Sequence, residues 1–291
     1  MRKSLITRDE VIKHSQALPV FPIILNQILT TIADPDANLN VLVNYVKHDA
    51  VIASRVMSLA NSVANKRQQP PTKDIKTAIY LIGLSSVREM AMIGSTSNYV
   101  KNLNLIGAPL TYWQHSVAVG VRSNELARHM NYSTETAEAA LIAGLLHDIG
   151  KIWLLYFFKG EVETAHSQMD DKPIGMIEAE IIYFGIDHAT IGSWLAEHWL
   201  QPKLISDAIL YHHFPDKSLD NSLVPLVHVA EVLCNALDIT GRNENRVSTT
   251  STLAFTQLGL IWGHHSRPKF SDLFGRIEAR CRYANAILNQ Q

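Results

Sequence analysis

His147 and Asp148 stand side by side in Leu145-Leu146-His147-Asp148-Ile149-Gly150-Lys151, a polar pair inside an otherwise apolar run. Ala139 to Ile149 is apolar on almost every face, as expected of a helix in a domain core. An aspartate placed there must be hydrogen-bonded or bound to a cation, because burying an unpaired carboxylate costs several kcal/mol or forces its protonation. Two readings of the pair carry similar weight. Either it anchors a divalent metal site, or Asp148 ends the helix beside a core histidine satisfied by a backbone carbonyl.

Six further positions carry the chemistry such a site needs: His115, Lys151, His188, His212, His213 and Glu231. Taken singly, each has a plainer explanation. Isolated histidines are more often satisfied core or surface groups, a His-His pair can complement a helix C-terminus, and a lone lysine is usually solvated. Together they form an all-nitrogen-and-oxygen ligand set suited to Fe, Mn, Zn or Ni. Asp148 can bridge two cations while imidazoles fill the outer positions, and one or two ions there would polarise a phosphoryl oxygen and activate water for in-line attack. Lys151, four residues beyond His147, lies on the same helical face if the helix continues, and can neutralise phosphate charge. Asp148 and Lys151 are thus the candidate catalytic residues. Adjacent helical residues diverge by roughly 100°, so His212 and His213 reach one cluster only if their helix ends there or two ions are present. His228 is a candidate outer partner; His14, His48, His129, His166, His198, His264 and His265 are assigned to the scaffold.

The elements that must position these groups are helical. The 291 residues are 47% hydrophobic and 18% charged, enough for one large core or two smaller ones. With 26 basic and 27 acidic side chains there is no global electrostatic footprint for nucleic acid or an anionic membrane, and neither partner is expected. Two cysteines, Cys234 and Cys281, make neither a disulfide framework nor a zinc spacing, so a cytoplasmic location is expected and metal binding must rest on histidine and carboxylate. No apolar stretch has signal-peptide character, and none reaches the roughly 18 uninterrupted apolar residues of a membrane span.

Short amphipathic helices separated by turns fill Pro22 to about Gly107, including Val51–Val63 and Ile75–Leu84, with a loop at Gln68-Gln69-Pro70-Pro71-Thr72. Turns are expected at Asp34-Pro35-Asp36, and a short helix at Asn40–His48. Longer helices are predicted over Leu110–Met130, from the N-cap Ser133 to His147, and over Ile152–Phe158, Met176–Phe184, Ala189–Trp199, Leu204–His213, Leu223–Leu237 and Leu273–Leu288. Asn243–Ser251 reads as an exposed loop. No period-two segment requires a sheet, so the fold is expected to be all-α, with an N-terminal helical lobe over 1–108 and a second lobe over 109–291.

The order His115, His147-Asp148, His188, His212-His213 and a late carboxylate resembles the HD superfamily of metal-dependent phosphohydrolases. The whole chain from about Leu18 to Leu237 is more similar to the HDOD group of bacterial signalling proteins. That likeness rests on Leu18-Pro19 and Pro22, Ala33-Asp34-Pro35-Asp36-Ala37, Arg55-Val56-Met57-Ser58-Leu59-Ala60-Asn61-Ser62, Ala78-Ile79-Tyr80-Leu81-Ile82-Gly83-Leu84, His188-Ala189-Thr190-Ile191-Gly192 and Trp199-Leu200-Gln201-Pro202.

The resemblance implies an HD-type helical lobe joined to a family-specific N-terminal lobe, one or two divalent ions, a phosphate-ester or nucleotide ligand and a signalling protein partner. Asp148 would be the bridging ligand and Lys151 the phosphate partner of a phosphohydrolase; the alternative is a regulatory module whose HD site is structural or vestigial. Two departures bear on the choice. The late acid is Glu231 where the superfamily usually has aspartate. The Gly-Tyr-Pro signature of the cyclic-dinucleotide phosphodiesterases is replaced by Phe214-Pro215-Asp216-Lys217 after His213, so cyclic-di-GMP hydrolysis is not expected.

Overall fold

In the computed structural model every regular element among the described residues is a helix. The described residues are 5–15, 43, 46–47, 50–84, 86–91, 110–171, 175–218, 220–236 and 250–260. The chain divides into two compact units, Val20–Asn102 with the last two residues, and Met1–Pro19 with Leu103–Asn289. The expected turn at Asp34–Asp36, most of Asn40–His48 and the closing helix Leu273–Leu288 lie outside the described residues.

In the first unit α2 (Ala50–Lys66) packs on α3 (Ile75–Ile82). Ile52, Val56, Ala60 and Ala64 form the buried stripe of α2, and Ala78 and Ile79 are the buried residues of α3. The diproline segment between them is a loop, as its missing N–H groups require, and Asn61 ties it down by accepting from the Thr72 amide at 2.8 Å. Asp74 caps α3 by accepting from the Thr77 amide at 2.7 Å.

The larger unit opens with α1 (Arg8–Ser15), ahead of the stretch expected to start it. It continues with α4 (Leu110–His129), α5 (Thr134–Leu146), α6 (Ile149–Phe157), α7 (Lys159–Asp171), α8 (Met176–Phe184), α9 (His188–His198), α10 (Lys203–Tyr211), α11 (Leu223–Ala236) and α12 (Thr252–Gln257). Ser133 caps α5 as its residue type predicts, accepting from the Thr136 amide at 3.2 Å. From Ala137 onward helix α5 has almost no polar face because it is enclosed between α4, α10 and α11. A Cβ added to Gly144 would lie 2.6 Å from Gly120 Cα, so α4 and α5 meet backbone to backbone.

Thr134–Phe157 is apolar and long enough by composition to cross a membrane, yet 78% of its apolar window is buried inside the molecule. That is the burial of a core helix, and the run is broken at its centre by His147 and Asp148. Ser251, expected in an exposed loop, is buried instead. It caps α12 by accepting from the Ala254 amide at 3.1 Å, and its hydroxyl donates to Asp216.

His115, Val119, Arg122 and Leu126 share one buried side of α4. Arg122 is 0% exposed, and none of its three guanidinium nitrogens has a hydrogen-bond partner among the described residues. Burying a polar group without hydrogen-bond partners costs stability. Arg122→Met keeps most of the volume and removes the charge; it is expected to raise unfolding free energy by ~1–4 kcal/mol, read by chemical denaturation. A lower midpoint instead would mean that the charge is paired by a group beyond the described residues.

Candidate metal centre

The apolar run that carries the histidine–aspartate pair does not continue as one helix. α5 stops at Leu146, His147 takes the C-cap with helical dihedrals, and Asp148 bends the chain at φ −102° and ψ 13° before α6 begins at Ile149. The His147 ring folds back so that Nδ1–H donates to the Gly144 carbonyl at 2.7 Å, which leaves Nε2 as the lone-pair nitrogen. His212 repeats the arrangement at the C-cap of α10, donating from Nδ1 to the Ile209 carbonyl at 2.6 Å. That helix ends at Tyr211, so the condition for His212 and His213 to face one cluster is met by chain geometry.

All the sequence-derived candidates converge. Asp148 Oδ1 lies 3.3 Å from His188 Nε2 and 3.8 Å from His212 Nε2, and Oδ2 lies 3.4 Å from His147 Nε2 and 2.9 Å from Lys151 Nζ. Glu231 Oε2 stands 3.9 Å from His212 Nε2 and 3.8 Å from His213 Nδ1. His188 and His213 face each other through their Nε2 atoms at 3.0 Å. The His115 ring is 5.3 Å from that of His147, centroid to centroid. Ligand atoms fall into three sets, each within 4.8 Å: Asp148 with His188, His212 and His213; His115 with His147 and Asp148; and His147 with His212 and Glu231.

Whether these residues fit a cation can be judged from their hydrogen bonding. His147 Nε2, Asp148 Oδ1 and His212 Nε2 are buried without any hydrogen-bond partner among the described residues. Buried polar atoms are nearly always satisfied, and three orphaned lone-pair donors in adjoining, overlapping ligand sets match a divalent ion's demand for N and O ligands. The electrostatics agree. Burial pushes His147 down and His212 and His213 well down, so all three are neutral imidazoles, the ligating form. Burial works to raise Asp148, but the neighbouring His147 and Lys151 outweigh it and hold the carboxyl well below its usual range. Burial, reinforced by the Asp148 charge, pushes Glu231 up to about 8. Lys151 is raised despite its burial because Asp148 faces it. It also has the most exposed side chain of the group at 16%, which sets the open side of the cluster.

Two supporting residues extend the cluster. His228 is an outer partner: Nδ1–H donates to the His212 carbonyl at 2.7 Å, and Nε2 accepts from the Ser251 amide at 3.0 Å. Glu180, in α8, was not singled out by sequence reading. Its Oε2 accepts from both the His188 backbone N–H, at 2.8 Å, and the His188 ring Nδ1–H, at 2.6 Å. The signal was partial, since Glu178 and Glu180 both interrupt Met176-Ile177-Glu178-Ala179-Glu180-Ile181-Ile182 and only the fold separates the buried Glu180 from the exposed Glu178. Of the scaffold histidines, His14 stacks against Phe157 and Trp153, which also touch each other.

Burial would lower His188, but the Glu180 carboxylate overrides it and raises His188 to about 9. The cation-free cluster therefore holds protons on His188 and Glu231 at neutral pH, and ligation must displace them. Adding Mn²⁺ at pH 7 is expected to release protons, and the number should fall as the starting pH rises through 8 to 9, where these groups are already losing them. Calorimetric titration in two buffers of different ionisation enthalpy measures this. A release that does not change across that range would remove both groups from the coordination.

A family model described as the HDOD domain matches residues 18–215. The fold is similar to that of an HDOD domain protein with unknown function from Geobacter sulfurreducens, 23% identical with a TM-score of 0.70 over 97% of each chain. It is similar also to a protein of Shewanella amazonensis SB2B described as a candidate phosphohydrolase, 20% identical with a TM-score of 0.66 over 96% of this chain and 97% of that one. At such identities the likeness establishes the fold. An uncharacterised protein of Treponema pallidum (strain Nichols) is 25% identical over 211 residues, 67% of this chain and 37% of that protein. The chain thus spans little more than a third of this curated relative.

Proposed function

We propose that this chain, which belongs to the HDOD family, is a signalling protein whose histidine–aspartate cluster holds one or two divalent ions and hydrolyses a phosphate ester or nucleotide. The observation that carries the reading is that three buried, unsatisfied atoms, His147 Nε2, Asp148 Oδ1 and His212 Nε2, belong to the residues shared among three overlapping ligand sets. His115, His147, His188, His212 and His213 would supply nitrogen ligands, with Asp148 and Glu231 as oxygen ligands. A bound divalent ion supplies Lewis-acid polarisation of a phosphoryl oxygen and activation of water. The protein's own part is to hold neutral imidazoles in fixed tautomers, to keep Asp148 ionised, and to exclude water from all but one side. On that side Lys151 presents an ammonium anchored to Asp148 at 2.9 Å, placed to neutralise an incoming phosphate.

Near-complete enclosure of the cluster favours a second reading, a regulatory module in which the ion is structural. The two are separated by assaying the purified protein, loaded with Mn²⁺ or Ni²⁺, against p-nitrophenyl phosphate, bis-p-nitrophenyl phosphate and nucleotides. Turnover abolished by His147→Ala supports hydrolysis. Stoichiometric metal without turnover on any of these supports the structural role.

A further inference from the structure

We propose that Glu180 is a positioning residue for the cluster: it fixes the tautomer and the ring angle of His188 so that Nε2 alone faces Asp148. The inference rests on the metal-site reading and adds to it a residue outside the ligand set.

The geometry begins with the turn between α8 and α9. Gly185 ends α8 with φ +75°, a left-handed conformation that favours glycine, and its N–H returns to the Ile181 carbonyl at 3.0 Å. Asp187 then caps α9 by accepting from the Thr190 amide at 2.7 Å. This tight reversal lays the first residue of α9, His188, against Glu180, one turn before the end of α8. A single carboxylate oxygen accepts from both the backbone and the ring of His188, so neither the main chain nor the imidazole can rotate without breaking a charge-assisted bond. Glu180 is 4% exposed, and its charge lies near the N-terminus of α9, where the helix dipole favours an anion. With Nδ1–H committed, only Nε2 is left to point at Asp148 Oδ1, 3.3 Å away. A carboxylate behind a ligating histidine also raises the basicity of the ring and strengthens its bond to a cation.

The test uses the full chain with Glu180→Ala and Glu180→Gln, Mn²⁺ affinity by calorimetry, the Nδ1–H proton of His188 by NMR in chelated protein, and unfolding in chelator. Wild type should show a slowly exchanging, strongly downfield Nδ1–H signal. Glu180→Ala should lose that signal and bind Mn²⁺ about 10–100-fold more weakly. Glu180→Gln keeps an acceptor oxygen for both N–H groups and should recover much of the loss. Equal affinity in wild type and Glu180→Ala, or an Nδ1–H signal unchanged by the substitution, would overturn the positioning role. So would Glu180→Gln and Glu180→Ala weakening binding only in proportion to a shared loss of fold stability. If wild type itself takes up no Mn²⁺, the metal-site reading fails separately, and the NMR signal still decides whether Glu180 holds His188.

Discussion

Asp148→Ala is expected to reduce bound divalent metal to background and to abolish any phosphohydrolase turnover, because its two carboxylate oxygens are the atoms to which His147, His188, His212 and Lys151 are all directed. Elemental analysis after loading with Mn²⁺ measures the first effect. The same change should lower unfolding free energy in chelator by ~3–5 kcal/mol, since Lys151 would keep its charge without the carboxylate it is bonded to, while His188 retains only Glu180. Asp148→Asn preserves shape and isolates the charge: it should lose metal as completely while losing less stability. The pH dependence has a defined sign. The folded-state pKa of Asp148 is depressed, so its stabilisation is fully present above the unfolded value of about 3.9 and is lost as pH falls through the lower folded value. Wild type should therefore have an acid-unfolding limb that is weaker in Asp148→Asn. Unchanged metal content in either variant would remove the cluster from consideration as a metal site.

Gly150→Ala is expected to be the most damaging single-methyl change in the described core. A Cβ at that position would lie 2.0 Å from the His188 carbonyl oxygen and 2.9 Å from the Gly192 amide nitrogen. Both are backbone atoms that no rotamer change can move aside. The start of α6 would have to lift away from α9, and with it Asp148, two residues earlier, would move relative to His188. Alanine's helix-propensity advantage of about 1 kcal/mol is small against this, and a loss of about 3 kcal/mol or more is expected. Metal affinity should fall along with stability. Gly192→Ala is the control. Its Cβ meets Ile209 Cγ2 at 3.0 Å and Ile149 Cγ2 at 3.3 Å, with its nearest backbone neighbour, the Gly150 nitrogen, at an ordinary 3.4 Å, so its cost should be smaller. Denaturation of both variants in chelator tests the ordering, and equal midpoints would refute the backbone-contact account.

Much of the helical scaffold was legible because its signals are local. Ser133 is an N-cap in the structure for the reason its residue type suggests, and the diproline loop at Pro70-Pro71 interrupts the helices where missing N–H groups require. The exposure expected at Ser251 did not carry over, although it remains outside the helix as its N-cap: its hydroxyl is buried against Asp216 and the Ala254 amide, and composition cannot tell a capping serine from one in water. The division into lobes differed at its start. Arg8–Ser15 packs against α9, far along the chain, through contacts such as Arg8 with Glu197 at 2.7 Å, and no local pattern reports them.

For the cluster, residue type and order alone determined which groups are chemically able to take part: His115, His147, Asp148, Lys151, His188, His212, His213 and Glu231. Polar groups in apolar helices must find partners, and that rule can be read from a one-dimensional pattern. Tertiary structure decided the rest. It set the break expected after His147 at Asp148 and restarted the helix at Ile149, turned His212 and His213 toward one centre by ending α10 at Tyr211, and brought Glu180 behind His188. These outcomes depend on where chain reversals place groups from separate helices within a few ångströms. Sequence spacing fixes the face of a helix a residue occupies, but distances between helices are set by packing, down to the absent methyl of Gly150.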